Sequence, residues 1–365
     1  MATAPSRSPD IAAQHPPYPD WLEAARNAPS AHNTQPWRFV LPASGEPVGR
    51  IEVRWNPDRL LLAGDPTDRD LYLALGAAVE SACLRARAND APLRFMPAPD
   101  RESGVAGYLE PDDGPPDSED LRLARQLERR HTARVAHLPT PIAKEVTTRL
   151  QDEAARRGCR LYIVEDKGRI QRLAALARRA TAAQFADAAV QRELWRWLRL
   201  DPARPDYRRD GLTADCLTLR GAALAVARAA MPPARMRLLS LLRLHHLLAL
   251  DAEVTMRRSA AVLLLTVPMP SPRRRDLVAA GRLLQRLWLI AAEADLTTHP
   301  FSALLDCAAT AMPAATVCGA TGATDETPVA LYRMGATPPV PRAPRLPLVE
   351  LLERAGRPQR VGHGV

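Results

Sequence analysis

Lysine is nearly absent from this 365-residue chain: of its 50 basic residues only Lys144 and Lys167 are lysine, and the rest are arginine. The formal charge of +9 therefore rests on guanidinium groups. They are interleaved with acids, as in 122–134 and 169–196, and form no concentrated stripe of the kind that grips nucleic acid. Cysteine is sparse as well. Cys83, Cys159, Cys216, Cys307 and Cys318 make no C-x-x-C pair and have no histidine cluster beside them, which argues against a metal site or a disulfide framework. Their odd number fits a reducing, cytoplasmic setting. No apolar run reaches the roughly 18 residues that a membrane span needs. Residues 1–19 lack a basic start and an apolar stretch, so they read as an unstructured tail and not as a signal peptide. No G-x-G-x-x-G follows a strand, no G-x-x-x-x-G-K-[ST] occurs and no G-x-S-x-G occurs, which removes the usual dinucleotide, P-loop and serine-hydrolase readings. The expectation is a chain with no metal, no nucleic-acid partner and no membrane.

What is present is an ordinary globular composition, 46% hydrophobic and 25% charged. The 35 prolines gather in the N-terminal tail, in 92–116 and in 338–347, where they mark connections. Periodicity predicts strands at 51–55, 93–96, 105–109, 160–164, 260–267 and 329–333, the fifth apolar throughout and fit for the middle of a sheet. It predicts helices at 21–27, from about 67 to 88, and at 117–130, 141–157, 167–185 and 276–294. The stretch 193–217 reads as irregular, and 238–250 as a buried or lid helix. The class is α+β.

Two strings carry chemistry. Ala28-Pro-Ser-Ala-His-Asn-Thr-Gln-Pro-Trp-Arg-Phe39 is poor helix and poor strand, and sets amide and hydroxyl groups beside an aromatic anchor. That suits a loop that hydrogen-bonds a flat, heteroatom-rich ligand. Arg130-His-Thr-Ala-Arg134 places two guanidinium forks around one hydroxyl, a pattern that matches phosphate oxygens. Taken alone, it reads equally well as a charged helix end.

The first string resembles the flavin-contacting loop of the nitroreductase family, most closely its Acg-like branch, and the second resembles that family's R-x-[ST]-x-R phosphate string. Gly281–Leu289, followed by Thr297–Ser302, looks like the family's long central helix and the loop after it, with Asp295 standing where glycine is usual. Val329–Gly335, with Arg342 and Arg345 beyond, resembles the C-terminal strand and its phosphate-side arginines. The resemblance implies a nitroreductase-like fold in two fused copies, 20–128 and 129–352, forming an intramolecular pseudo-dimer. It implies a lid at about 190–258, in which Trp195 and Trp197 either fold over the flavin or serve as ordinary core packing, and a tail at 353–365. Here the loop at residue 29 precedes the arginine string at 130, the reverse of single-fold members. One complete flavin site per chain follows, and its counterpart should be dead.

By the same resemblance, FMN is the cofactor and NADH or NADPH a possible electron donor. Pro29, Ser30, His32, Asn33 and Gln35 would lie along the ring. Arg130, Thr132 and Arg134, with Arg342 and Arg345, would hold the phosphate, and Thr298 and His299 would sit near the reactive edge. Many relatives place a lysine at the pyrimidine edge; this chain must use an arginine or a backbone donor. The implied activity is hydride transfer through flavin N5 to or from a small organic substrate, with natural-product tailoring as one version, by a monomer or homodimer. The rival reading is an Acg-like protein that stores or sequesters flavin. No spacing identifies a catalytic acid.

Overall fold

The computed structural model describes residues 19–42, 49–115, 117–320 and 325–354. The expected tails at 1–19 and 353–365 fall outside these residues, apart from Pro19 and the two residues 353–354.

The first part of the chain runs α1 (Asp20–Arg26), β1 (Trp37–Leu41), β2 (Ile51–Trp55), α2 (Arg69–Ala88), β3 (Leu93–Asp100), β4 (Val105–Pro111) and α3 (Ser118–Ala124). The second begins with α4 (Lys144–Arg156), β5 (Arg160–Val164), α5 (Lys167–Ala186) and α6 (Ala188–Trp197). A compact excursion follows: β6 (Leu198–Arg199), β7 (Leu212–Thr213), α7 (Gly221–Ala230), α8 (Pro233–Leu241), α9 (His245–Leu248) and α10 (Leu250–Arg257). The chain closes with β8 (Ala261–Val267), α11 (Arg274–Glu293), β9 (Thr297–Pro300), α12 (Ala303–Asp306), α13 (Ala308–Cys318), β10 (Thr327–Gly335) and β11 (Leu352–Arg354).

Two sheets share one plan. The first runs β1-β2-β4-β3 and the second β5-β8-β10-β9, with every neighbouring pair antiparallel. In each, a 20-residue helix follows the second strand: α2 after β2 and α11 after β8. β11 then returns to the first sheet and lies parallel to β1, pairing Phe39 with Leu352. The expected tail at 353–365 thus begins inside a strand, because Glu353 and Arg354 pair with Val40 and Leu41.

Side-chain alternation explains the layers. Ile51, Val53 and Trp55 of β2 are buried while Glu52 and Arg54 are not, so the first sheet has one covered face. All seven residues of β8 are buried. Its Ala261, Leu263 and Leu265 enter the main core with α2 and α11, and Val262 and Leu264 enter a second core with α5 and α13. A strand covered on both faces reads as a continuous apolar run, as this one does. The helix expected at 117–130 stops at Ala124 and continues as turns. Trp37–Leu41 forms a strand, not the end of a loop, because Trp37 and Phe39 are fully buried beneath α1 and α2.

The excursion departs most from expectation. Residues 193–197 finish α6, and β6 and β7 pair in parallel. The helix expected at 238–250 is broken at Arg243, whose φ is +58°, and much of it is exposed.

Candidate functional site

α2 and α11 cross in close contact, and one cavity opens beside them. α2 contributes Arg69, Leu73, Ala74 and Ala77 to its wall, and α11 contributes Leu284 and Trp288. Residues of the 27–33 loop, the 127–134 segment, β10 and the 342–345 segment supply much of the remaining lining. The atom-free space, mouth included, is about 1220 Å³.

Of the residues singled out in the sequence, Pro29, Ser30, Asn33, Arg130, Thr132, Arg134, Arg342 and Arg345 line this one cavity. Segments far apart in sequence thus meet where the two strings were expected to cooperate. Asn33 is fixed at both ends of its amide. Its Nδ2 donates to the carbonyls of Gly211 (3.2 Å) and Pro344 (2.9 Å), and its Oδ1 accepts from Arg345 Nη1 (2.7 Å). Three positive φ values, at His32 (+48°), Asn33 (+56°) and, past Thr34, Gln35 (+51°), shape the loop. Asparagine tolerates that region; histidine and glutamine there mark local strain.

The other four lie outside the wall. Gln35 is fully buried as a clamp: Nε2 donates to the Arg209 carbonyl (3.2 Å) and Oε1 accepts from the Leu346 amide (2.8 Å). Burial and then the Arg134 charge hold the His32 imidazole down at about 4, so it is neutral. His299 accepts from Arg333 Nε at 3.0 Å, and burial followed by the charges of Arg333 and Arg134 keeps it far below its ordinary value. Thr298 is buried behind the wall, bridged to Thr132 in parallel, and its Oγ1 has no protein partner.

The electrostatics are one-sided. Arg130, Arg134, Arg342 and Arg345 make no ion pair among the described residues. Arg130 gives one bond to the Asn27 carbonyl (2.8 Å), while its Nε and Nη1 are buried without partners. Arg345 leaves Nε in the same state. Burial, and then repulsion from Arg345 and Arg342, lowers Arg130 to about 9; burial, then Arg26 and Arg134, lowers Arg345 to about 10. Burial also lowers Arg134. Unsatisfied buried donors of one sign are costly unless an anion completes them.

The cavity's other charged group is balanced differently. Arg69 Nη2 donates to Asp70 (2.8 Å) and to Asp306 (2.7 Å), and Asp65 accepts from the Leu71 amide (2.9 Å) at the start of α2. Sequence reading missed this group, because Asp306 lies 237 residues from Arg69 and no local pattern joins them. Neither lysine reaches the cavity; Lys167 donates to the Ser259 carbonyl (3.3 Å). Trp195 and Trp197 do not line it either. Trp197 is buried with the guanidiniums of Arg59 and Arg196 5.7 Å from its ring and that of Arg199 5.8 Å away. Asp295, at the expected glycine position, takes φ +57°, a left-handed conformation that aspartate adopts more readily than most residues.

No family model matches the chain. A Mycobacterium tuberculosis protein bearing the provisional name of NAD(P)H nitroreductase, recorded in two strains, is 33% identical over 181 residues. The match covers 48% of this chain and 49% of that protein, so the chain spans about half the length of the curated relatives it matches. An uncharacterized protein of the same organism is 24% identical over 304 residues, 77% of this chain and 38% of the other. Among solved structures, the FMN-dependent nitroreductase NfnB from Mycobacterium smegmatis in complex with NADPH gives a TM-score of 0.37 at 18% identity, covering 66% of this chain and 98% of the other. That score is too low to argue from. By sequence, the chain is similar to a nitroreductase over about half its length.

Proposed function

We propose that this chain is an FMN-dependent oxidoreductase of the nitroreductase family, from its Acg-like branch, built from two fused copies of one fold. The observation that carries the cofactor assignment is the set of four cavity-lining arginines without carboxylate partners among the described residues, with three of their buried nitrogens unsatisfied. A phosphate monoester supplies the charge and the acceptor oxygens that these donors lack. The Pro29–Asn33 loop forms the adjoining wall, and the aliphatic faces of Leu73, Ala74 and Leu284 with Trp288 suit a flat ring.

In this reading Arg130, Thr132 and Arg134 hold the phosphate with Arg342 and Arg345. Asn33, tied to Arg345, couples ring position to phosphate position. Bound FMN supplies hydride acceptance and donation at N5. The chain binds, orients and excludes water; Leu73, Ala77 and Leu284 keep the wall apolar. Neutral His32 and His299 add no charge near the arginines. A small organic substrate would enter by the mouth, with NADH or NADPH as electron donor, and natural-product tailoring is one role that fits.

The shared strand order of the two sheets supports the fusion. A single functional site per chain is supported by what stands at matched positions. Ala77, one residue past Gly76, lines the cavity; Arg282, one residue past Gly281, instead donates to the buried Glu80 (2.6 Å). A long charged side chain thus stands where a second cavity would need a small one. Trp195 and Trp197 of α6 lie off the cavity wall, which leaves the ring position open to a nicotinamide and weighs against flavin sequestration.

The test is the visible spectrum of the purified protein, followed anaerobically through additions of NADH and NADPH. A flavin band bleached by either donor supports the enzyme reading. A band that persists until dithionite is added favours sequestration. A protein with no band, and none gained on adding FMN, overturns the proposal.

A further inference from the structure

Residues 220–250 contain five arginines, two histidines and no aspartate or glutamate. They also contain no phenylalanine, tyrosine or tryptophan. Within this segment α7 is apolar in sequence, yet none of its residues is buried. In α8, α9 and their joints, Leu238, Leu241, Leu242, Leu244 and Leu247 are exposed, Leu241 at 76%. Arg235, Arg237 and Arg243 are exposed among them. Met236, His245 and Ala249 turn inward and anchor the segment, so the leucines are held outward by the fold. An apolar face of this size on one molecule calls for a cover.

The chemistry of the face selects the cover. In an isologous pair each arginine set would meet its own copy, with no acid on the face to neutralise it. Protein interfaces are anchored chiefly by tryptophan, tyrosine and arginine, and this face offers aliphatic carbon, guanidinium and the His246 imidazole but no tryptophan or tyrosine. Leucines beside arginines match a bilayer surface, where acyl carbon lies just beneath anionic headgroups. We infer that the α7–α9 face docks on the surface of an anionic lipid bilayer without crossing it, which revises the expectation of no membrane contact. The inference is independent of the flavin assignment, because none of these residues lines the cavity.

The test is co-sedimentation of the full-length protein, as purified, with phosphatidylcholine vesicles and with vesicles that also contain phosphatidylglycerol. Binding is expected to the anionic vesicles and to weaken as salt is raised. Replacing Arg235, Arg237 and Arg243 together with glutamine should weaken it by roughly a hundredfold at low salt. The Leu241→Ser/Leu242→Ser variant should abolish it while the circular dichroism and melting of the protein stay unchanged, since both side chains are already in water. Absence of binding to anionic vesicles overturns the inference. So does a concentration-dependent dimer, seen by light scattering, that the leucine variant dissolves, for then the face joins two copies.

Discussion

Gly76 and Gly281 stand in reciprocal contact at the crossing of α2 and α11. A Cβ on Gly76 would overlap the carbonyl oxygen of Val278 and lie 2.8 Å from Gly281 Cα; a Cβ on Gly281 would overlap the carbonyl oxygen of Leu73 and lie 2.7 Å from Leu73 Cα. Val278 precedes Gly281 by three residues, and Leu73 precedes Gly76 by three. Each glycine is the eighth residue of its 20-residue helix. At this crossing the two helices therefore present equivalent positions to each other.

Alanine at either position should destabilise the protein. Helix propensity alone favours alanine over glycine by about 1 kcal/mol. Here the added carbon meets backbone that cannot rotate away, and overpacking of this kind costs about 1–3 kcal/mol. Urea unfolding of Gly76→Ala and Gly281→Ala should show lower midpoints than the parent; a rise in either would mean the helices can part freely.

Arg130→Met should behave in opposite ways with and without an anion. It removes a buried charge that has no carboxylate partner, so the cofactor-free protein should gain about 1 kcal/mol or more. The same change should remove most of the stabilisation that added FMN gives the parent. Thermal melts at two FMN concentrations check both signs.

Glu80→Ala should be among the most damaging single changes. Glu80 is fully buried, held down at about 2 against its burial cost by Arg282 and Arg286, and Arg286 also binds Asp120 (2.7 Å) and Glu153 (2.5 Å). Its loss leaves two arginines short of a partner, at a cost of about 3–5 kcal/mol. Denaturant midpoints read the effect, and flavin content per folded molecule should not change.

Asp306→Asn should alter the pH dependence of stability. Burial and then Asp70 hold the Asp65 carboxyl above its usual range; burial outweighs Arg69 to do the same for Asp306. A carboxyl raised in the folded state binds its proton more readily there, so its contribution falls as pH rises through the folded value. His32 and His137, held at about 4 and about 3, act in the opposite sense and favour the fold as pH rises to the ordinary histidine range. The asparagine variant should therefore gain on the parent more at about pH 8 than at about pH 5. Unfolding midpoints at the two values decide it.

The sequence carried the site's cationic half and little of its other wall. Arg130, Thr132 and Arg134 stand out by their resemblance to a family phosphate string, since their spacing alone reads equally well as a charged helix end. Pro29, Ser30 and Asn33 were legible because turn-forming and amide residues crowd together. Gln35 belonged to the same crowd but turns inward, since its partners, Arg209 and Leu346, come from elsewhere in the chain. Arg69 and Asp306 pair across the fold, and no periodicity announces such a pair. Strand β8 was plain from its apolar run, whereas β1 hid inside a string read for its polar residues. The leucines of 238–250 look like core by composition, and only their exposure in the fold reveals otherwise.

The return of β11 to β1 has a consequence for synthesis. The edge of the first sheet beside residues 39–41 is completed by residues 352–354, so that edge stays open while more than 300 residues emerge from the ribosome. Arg345, which secures the loop carrying Asn33, comes from the same late segment. The first sheet can assemble early from its own four strands, but the cavity's wall cannot close until residues 342–345 have emerged. A nascent chain stalled before residue 345 would hold an open strand edge and a loose loop, a form open to chaperones and proteases until the last strand docks.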